Sequence, residues 1–199
     1  MSAESMAAPS SGYPVRFDVE YQEAHSRLLI FVRWILAIPH LLILYALGAA
    51  AGICAFIAIF TILFTAKYPK GLFDFVVNVQ RWSANVSAYL LMLRDEYPPF
   101  SFDAGQYPVT LEVDYPPEFG RFAPLYKWLL VIPNMIALLF VAIIGYLLII
   151  VAWFAILFTG SMPRGLHDFI VGRLRWSTRA NAYASYLQTD EYPPFSMKP

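Results

Sequence analysis

Charged residues and cysteine are both scarce in this chain of 199 residues. Only 14% of the residues are charged, whereas a soluble globular chain averages about 25%. The 14 basic side chains are balanced by 14 acidic ones, so the composition indicates no basic surface for nucleic acid. The single cysteine, Cys54, excludes an intrachain disulfide and a zinc site built on cysteines.

Sequence patterns of known catalytic sites are also missing. The histidines His25, His40 and His167 lie in different segments without the spacing of metal ligands. No nucleophile elbow, phosphate loop or dinucleotide-binding glycine pattern occurs. Cys54 lies among small and apolar residues, where a thiol packs rather than reacts. The sequence therefore predicts neither an enzyme activity nor a cofactor.

Apolar residues are abundant and are concentrated in two stretches. They make up 59% of the chain, compared with about 45–50% in soluble proteins, and the 17% of aromatic residues suits contact with a membrane interface. The stretches are residues 28–66 and 125–159. Three residues unfavourable in lipid interrupt each stretch, namely Arg33, Pro39 and His40 in the first, and Lys127, Pro133 and Asn134 in the second.

Each apolar stretch predicts a helical hairpin that crosses a membrane. One crossing needs about 20 apolar residues, and a helix satisfies its own backbone groups in lipid. As a single helix at ~1.5 Å per residue, the first stretch would measure about 58 Å. Tilt cannot fit that length into a hydrocarbon core of about 30 Å. We therefore expect turns between Gly48 and Gly52 and near Gly145, because glycine permits tight turns. A re-entrant wedge is the alternative.

The chain is an internal duplication. The segment YPVRFDVEY at 13–21 matches YPVTLEVDY at 107–115, an offset of 94 residues that continues without a gap to Arg94. After one inserted residue, the segment DEYPPFS recurs at 190–196. Repeat 1 therefore covers residues 13–103 and repeat 2 covers residues 104–199. Residues 1–12 are small and polar, and we predict a disordered tail there.

Each repeat begins with a segment in which apolar and polar residues alternate. This alternation is typical of a strand with one buried face and predicts strands at 14–21 and 108–115. A local two-fold axis would pair these strands antiparallel. The membrane hairpins follow at 28–66 and 124–159.

The last helix of each repeat carries a narrow polar stripe. In the helix predicted at 71–93, this stripe consists of Asp74, Asn78, Arg81 and Asn85. Three arginines in the equivalent helix at 165–187 make a membrane crossing costly. We therefore interpret both as amphipathic helices that lie in the membrane interface or pack on the hairpins. If these helices crossed the membrane, the repeats would be inverted relative to each other.

Together these elements predict a mainly α membrane protein with two tandem repeats and a small antiparallel β-element outside the bilayer. All 14 lysines and arginines fall on one side of the predicted hairpins or at its border. The positive-inside rule therefore predicts a multi-pass protein of the inner (cytoplasmic) membrane with both termini in the cytoplasm.

The motifs of the chain resemble those of a prokaryotic integral-membrane family that is described only as a domain of unknown function. Over residues 13–196 their order is Tyr-Pro-Val, Ile-Pro-His, Pro-Lys/Arg-Gly-Leu-x-Asp-Phe, Arg-Trp-Ser and Tyr-Pro-Pro-Phe-Ser. The resemblance implies a membrane location and two tandem copies, and it implies no activity. The copies depart from the pattern at Ala66, at Asn134 and at His167.

Four polar side chains are predicted at membrane depth, at equivalent positions of the two repeats: Arg33, His40, Lys127 and Asn134. A polar group in such a place marks a functional site by default. A structural role is the alternative. Arg33 and Lys127 would then extend to the interface beside tryptophans, and His40 and Asn134 would satisfy groups next to a proline.

A second set of candidates belongs to the last helix of each repeat. Arginine matches the geometry of phosphate, so this set would bind a lipid headgroup or form a polar network inside the fold. The set consists of Lys70, Asp74, Arg81, Trp82, Arg164, Asp168, Arg175 and Trp176.

The sequence favours a non-enzymatic integral membrane protein that acts as a scaffold, an accessory subunit of a membrane complex or a lipid-interacting factor. The expected partners are the bilayer, a bound phospholipid, and a membrane complex or a second copy of the chain, with no nucleic acid. The alternative is a small oligomeric transporter or channel, which the duplication and the membrane-depth residues His40 and Asn134 would suit.

Overall fold

The computed structural model describes residues 12–199, which form two strands and five helices. In chain order the elements are β1 (Val15–Val19), α1 (Leu29–Thr65), α2 (Lys70–Leu90), β2 (Val109–Val113), α3 (Ala123–Leu130), α4 (Ile132–Thr159) and α5 (Arg164–Ala184). Each repeat is thus a strand, a long apolar segment and a shorter helix, with α3 and α4 together in the place of α1. The predicted disordered tail, except for Gly12, lies outside the described residues.

The two strands pair antiparallel, as predicted. Val15 lies opposite Val113, and Val19 lies opposite Val109, so that Phe17 and Leu111 face each other at the centre. Both strands are shorter than predicted, at five residues each. Their apolar side chains are buried except for Val113, which is half-buried, and the polar side chains between them form the outer face of this two-stranded ribbon.

Each strand packs on the shorter helix of the other repeat, so the two repeats are interlocked. β1 contacts α5, and β2 contacts α2. The Tyr21 hydroxyl donates to the carbonyl oxygen of Met162 (2.7 Å), and the backbone N–H of His25 donates to the carbonyl oxygen of Gly160 (2.8 Å). The equivalent bonds on the other side run from Tyr115 to Tyr68 and from Phe119 to Ala66. One hydrophobic core therefore includes residues of both repeats.

The hairpin predicted for the first repeat is wrong, because α1 is one continuous helix of 37 residues. Gly48 and Gly52 lie inside it instead of forming a turn. The three alanines between them favour helix, and each glycine costs only about 1 kcal/mol relative to alanine. Ala51 and Ala58 are buried, and α1 packs along α2, so tertiary contacts support the helix through the glycines.

The second hairpin is also wrong, and the interruption in repeat 2 lies elsewhere. α3 ends at Leu130 and α4 begins at Ile132, with Pro133 in its first turn. Proline lacks the N–H of a helix interior, which permits a break at this point, although the equivalent Pro39 lies inside the continuous α1. Gly145 lies within α4, where an added Cβ would come 3.0 Å from Cδ of Arg173. This glycine therefore serves the close approach of α4 to α5.

The shorter helices are enclosed between two other elements. α2 lies between α1 and β2, and α5 lies between α4 and β1. Within Lys70–Leu90 and Arg164–Ala184, no large apolar side chain is exposed. No apolar face of these helices is therefore left for direct contact with acyl chains. They pack on the long apolar helices, as one of the two predicted arrangements has it.

The fold has three layers. The ribbon forms one outer layer, α2 and α5 form the middle layer, and the long helices form the other outer layer. α1 and α4 are both long and apolar enough to cross a membrane, yet only 22% and 17% of their most apolar segments are buried in the fold. This is far less than for a core helix of a soluble protein. Among the exposed side chains are Leu28, Phe31, Trp34, Tyr45, Phe56, Phe64, Trp128, Phe140, Tyr146 and Phe158.

Replacement of Gly48 and Gly52 by alanine tests the continuous helix. No atom lies within 4 Å of a Cβ added at either position, so each change should raise the free energy of unfolding by about 0.5–1 kcal/mol. Denaturation in detergent micelles measures this. Gly160→Ala is the matched control and should be destabilising, because Gly160 has a φ of +74°. Destabilisation at Gly48 and Gly52 would instead indicate a turn.

Candidate functional site

Arg33 is fully buried, and its guanidinium reaches from α1 to the end of α2. Nη2 donates to Oδ1 of Asp95 at 2.9 Å, and Nη1 donates to the backbone carbonyl of Tyr89. The guanidinium carbon lies 5.3 Å from the centre of the Tyr89 ring. A positive charge in the long helix is thus neutralised by a carboxylate that follows α2.

Lys127 has the same surroundings in repeat 2. Its Nζ lies 2.5 Å from Oδ1 of Asp190, donates to the carbonyl oxygen of Thr189 at 2.7 Å and sits 5.1 Å from the centre of the Tyr183 ring. Neither Arg33 nor Lys127 extends outward beside its neighbouring tryptophan, the orientation considered from the sequence. Each turns inward because an aspartate of the Asp-Glu-Tyr-Pro-Pro motif provides a partner.

The aspartates also hold the chain just before the long helices. Asp95 accepts the backbone N–H of Ser26 at 2.5 Å and contacts Nδ1 of His25 at 3.2 Å, and Asp190 accepts the N–H of Gly120 at 2.5 Å. Burial alone would raise the pKa of Asp95, but the hydrogen bonds from His25, Ser26 and Arg33 outweigh burial and lower that pKa. The carboxylate therefore ties the start of α1 to the end of α2.

His40 and Asn134 occupy equivalent places and make the same contact. The indole N–H of Trp82 donates to Nδ1 of His40 at 3.0 Å, and that of Trp176 donates to Oδ1 of Asn134 at 2.7 Å. His40 and Asn134 are fully buried. Both residues therefore accept a hydrogen bond from a buried indole. In this way Trp82 and Trp176, from the second set of candidates, contact the membrane-depth candidates.

The Tyr-Pro-Pro-Phe segments cover these acceptors. The Phe100 ring stacks on His40 with the ring centres 3.8 Å apart, and the Tyr97 hydroxyl donates to the carbonyl oxygen of Leu36 at 3.0 Å. In repeat 2 the Tyr192 hydroxyl donates to the carbonyl oxygen of Leu130 in the same way (3.2 Å). The Asn134 amide donates to the carbonyl oxygen of Pro193 (3.2 Å). Each segment therefore packs on the long helix of its own repeat.

Arg81 and Arg175 bind backbone carbonyls within the chain. Arg81 donates to the carbonyl oxygen of Phe102 at 3.1 Å, and Arg175 donates to that of Met197 at 2.8 Å, an equivalent contact. Arg175 also reaches β1 of the other repeat, where it donates to the carbonyl oxygen of Phe17 (2.7 Å) and to Oδ1 of Asp18 (2.8 Å). These contacts form a polar network, one of the two roles considered for this set.

The remaining candidates lie at the surface. Lys70 and Asp74 form an exposed ion pair of 2.9 Å, and the Arg164 guanidinium stacks over the Tyr21 ring at 4.5 Å. Asp168 contacts Nδ1 of its neighbour His167 at 3.1 Å. The structure therefore does not pair Asp74 with Arg81 or Asp168 with Arg175, although each pair shares a helix.

Asp95 and Asp190 were missed as site residues by reasoning from the sequence. The repeated Asp-Glu-Tyr-Pro-Pro-Phe-Ser motif was visible, but its distance along the chain from Arg33 and Lys127 hid the pairing. Within residues 12–199, no group of three His, Cys, Asp or Glu side chains lies close enough together to hold a metal ion. A cavity of about 230 Å³ between α2 and α5 has an uncharged lining and contains none of the predicted candidates.

Comparison with known families agrees with this two-fold arrangement. The model of a family described as a domain of unknown function (DUF4389) matches residues 27–101 and again residues 123–197. The chain belongs to this family. The resemblance predicted from the motifs, with two tandem copies, is thereby confirmed. No curated protein and no solved structure matches the chain.

Each DUF4389 copy contains one complete set of the contacts described above. A match begins just before the long helix and ends with the Tyr-Pro-Pro-Phe-Ser segment. It therefore includes the buried cation, its aspartate, the tryptophan and the acceptor of its indole N–H. The strands lie outside the matched residues.

Exchange of the acceptor residue tests its role in the DUF4389 copies. His40→Asn should keep the stability of the protein, because Asn134 accepts the equivalent indole N–H. His40→Leu should lower the free energy of unfolding by about 1–3 kcal/mol, because the buried Trp82 N–H loses its acceptor. Asn134→Leu is the matched change in the second copy and should cost a similar amount. Equal losses for His40→Asn and His40→Leu, measured by thermal unfolding in micelles, would contradict this role.

The aspartate predicts a dependence of stability on pH. The pKa of Asp95 is lower in the folded state than its ordinary value of 3.8, so its contribution is present above that value and disappears as the pH falls through the folded pKa. Asp95→Asn should cost about 3–5 kcal/mol at pH 7, since it leaves Arg33 buried without its partner. It should also flatten the loss of stability below about pH 4.

Asp74→Asn is the control for this change. Its exposed pair with Lys70 contributes less than about 1 kcal/mol, so unfolding curves from pH 2 to pH 7 should follow those of the wild type. An equal effect of Asp74→Asn and Asp95→Asn would contradict the role assigned to the buried carboxylate.

Proposed function

We propose that the protein is a non-enzymatic, membrane-embedded scaffold or accessory subunit held in the bilayer by its long apolar helices. The observation that carries the proposal is the outer surface of α1 and α4, which is apolar along its whole length. Exposed apolar patches on soluble monomers rarely exceed a few hundred Å². Lipid is the partner that such a surface requires.

The inward orientation of the polar side chains supports a membrane environment. Arg33, His40, Lys127 and Asn134 are at most 1% exposed, although they lie in or beside the most apolar segments of the chain. In a bilayer an outward charge at such a position would be costly, whereas an inward, paired charge is tolerated. The outward residues of the same helices are almost entirely apolar.

The engagement of the site residues supports a structural role over catalysis. Arg33 and Lys127 are paired with aspartates, and the indoles of Trp82 and Trp176 are paired with His40 and Asn134. These contacts hold helices and tails together. They also argue against the transporter alternative, because the polar groups face the middle layer and do not line a path through the long helices.

The proposed location is the inner membrane, with the ribbon and both termini on the cytoplasmic side, because the anionic cytoplasmic leaflet attracts exposed basic side chains. Lys70 and Arg164 are exposed basic residues, and each begins a shorter helix directly after a long apolar helix, where we expect contact with phospholipid headgroups. The proposed partners are therefore the bilayer, its headgroups and the proteins of a membrane complex.

Charged substitutions on the apolar face test the proposal. The wild-type protein should remain in the membrane fraction after alkaline carbonate extraction. Phe56→Asp combined with Phe60→Asp should release much of it, because each aspartate costs up to about 3 kcal/mol in the hydrocarbon region. Both phenylalanines are exposed, so the fold should persist, as circular dichroism would show.

The control places the same number of changes on the ribbon. Glu112→Ser combined with Asp114→Ser alters exposed side chains on the opposite side of the molecule and should leave the protein in the membrane fraction. Recovery of the wild-type protein in the soluble fraction would refute the proposal.

A further inference from the structure

The long helices can either cross the bilayer or lie along its plane. We infer that α1 and the α3–α4 segment lie along the plane of the membrane within one leaflet, so that both ends of each helix face the same side. This inference rests on the proposed membrane location and deepens it. It specifies the occupant of the apolar surface as the acyl chains of a single leaflet.

The apolar face of α1 is too long for a helix that crosses the bilayer. α1 has 37 residues and therefore measures about 55 Å. Its exposed apolar side chains run from Leu28, at 79% exposure, to Phe64, at 74%. To bring this whole face into a core of about 30 Å, a crossing helix would tilt by about 57°, outside the range of about 0–40° that membrane helices show. A helix lying in the plane buries its whole face without this conflict.

α2 runs beside α1 from Arg33 to at least Ala51. Arg33, near the start of α1, contacts the end of α2 at Tyr89. Further along, His40 contacts Trp82, and Ala51 packs with Val76. The two helices therefore run antiparallel, and if α1 crossed the membrane, α2 would be carried through it as well.

The ribbon would be carried into the bilayer with them. Arg175 and Arg179 of α5 contact the carbonyl oxygens of Phe17 and Val15, so the ribbon runs along the middle layer, which itself packs on the long helices. On its outer face Arg16 pairs with Glu112 and Asp114, and all three side chains are at least 38% exposed. Exposed charges and the open edges of a two-stranded sheet are not viable in hydrocarbon.

Charged residues therefore occur along the full length of one side of the molecule. Glu23 precedes α1 and is 85% exposed, Arg16 and Glu112 lie on the ribbon, and Lys67 is exposed directly after α1. The opposite side, formed by α1 and α4, is apolar throughout.

This division fits a surface on which the charged side meets headgroups and water and the apolar side meets acyl chains. A helix is about 10 Å in diameter, which fits within half of a hydrocarbon core of about 30 Å. Interfacial helices show comparable burial, about 5–10 Å into the headgroup and acyl boundary. Trp34 and Trp128 are exposed, in keeping with aromatic anchors of this region.

The accessibility of the two ends of α1 tests the inference. In a Cys54→Ala background, Glu23→Cys and Lys67→Cys each place one thiol in an exposed segment beside the helix. A membrane-impermeant maleimide is applied to right-side-out and to inside-out vesicles of the expressing cells. In-plane helices predict that both thiols react in the same type of vesicle, whereas reaction in opposite types would overturn the inference.

Flotation of the same vesicles separates this result from the proposed function. Protein that fails to float with the membranes would refute the membrane location itself. Protein that floats and shows thiols on opposite sides would refute only the in-plane arrangement.

The depth of the exposed face provides a second measurement that does not depend on the loops. Spin labels at Phe31→Cys, Tyr45→Cys and Phe60→Cys sample the start, middle and end of the exposed face of α1. The inference predicts similar depths by oxygen and nickel accessibility, within about 5–10 Å, the range of interfacial burial. A middle label about 15 Å deeper than the outer two, as for a helix through a core of about 30 Å, would overturn it.

Discussion

Each long helix contains one buried positive charge, and the rest of the site depends on how that charge is neutralised. A cation left buried without its partner would cost about 3–5 kcal/mol, a large share of the stability of a folded protein. Asp95 and Asp190 supply the partners, and each also binds the chain just before the long helix. The Tyr-Pro-Pro-Phe segment that follows each aspartate is thereby placed over the acceptor of the indole N–H. One ion pair therefore orders the segment before the long helix, the long helix itself and the Tyr-Pro-Pro-Phe segment.

The two repeats complete each other through their strands. β1 packs on α5 and β2 on α2, with equivalent tyrosine and backbone hydrogen bonds on the two sides. In neither repeat does the strand pack on the shorter helix of the same repeat. The duplication therefore produces a single layered fold, in which a polar ribbon and a polar middle layer stand opposite an apolar outer layer.

The predicted hairpins follow from the length of the apolar stretches and from the turn-forming tendency of glycine. Neither property includes the tertiary contacts of the helix. The continuous course of α1 through Gly48 and Gly52 shows that the length is compatible with a helix whose inner face packs on α2 and on the shared core. Gly145 similarly reflects the close contact with Arg173, which no local pattern in the sequence reveals.

The sequence by itself determined the duplication, the family, the antiparallel pairing of the strands and the approximate extent of the shorter helices, because these follow from repeated motifs and local periodicity. It also identified Arg33, His40, Lys127 and Asn134 as special, since polar residues in apolar stretches are conspicuous. Only the tertiary structure decided their partners, the exchange of strands between the repeats and the continuous course of α1. Those features depend on contacts between residues that are distant along the chain, and local pattern carries no record of them.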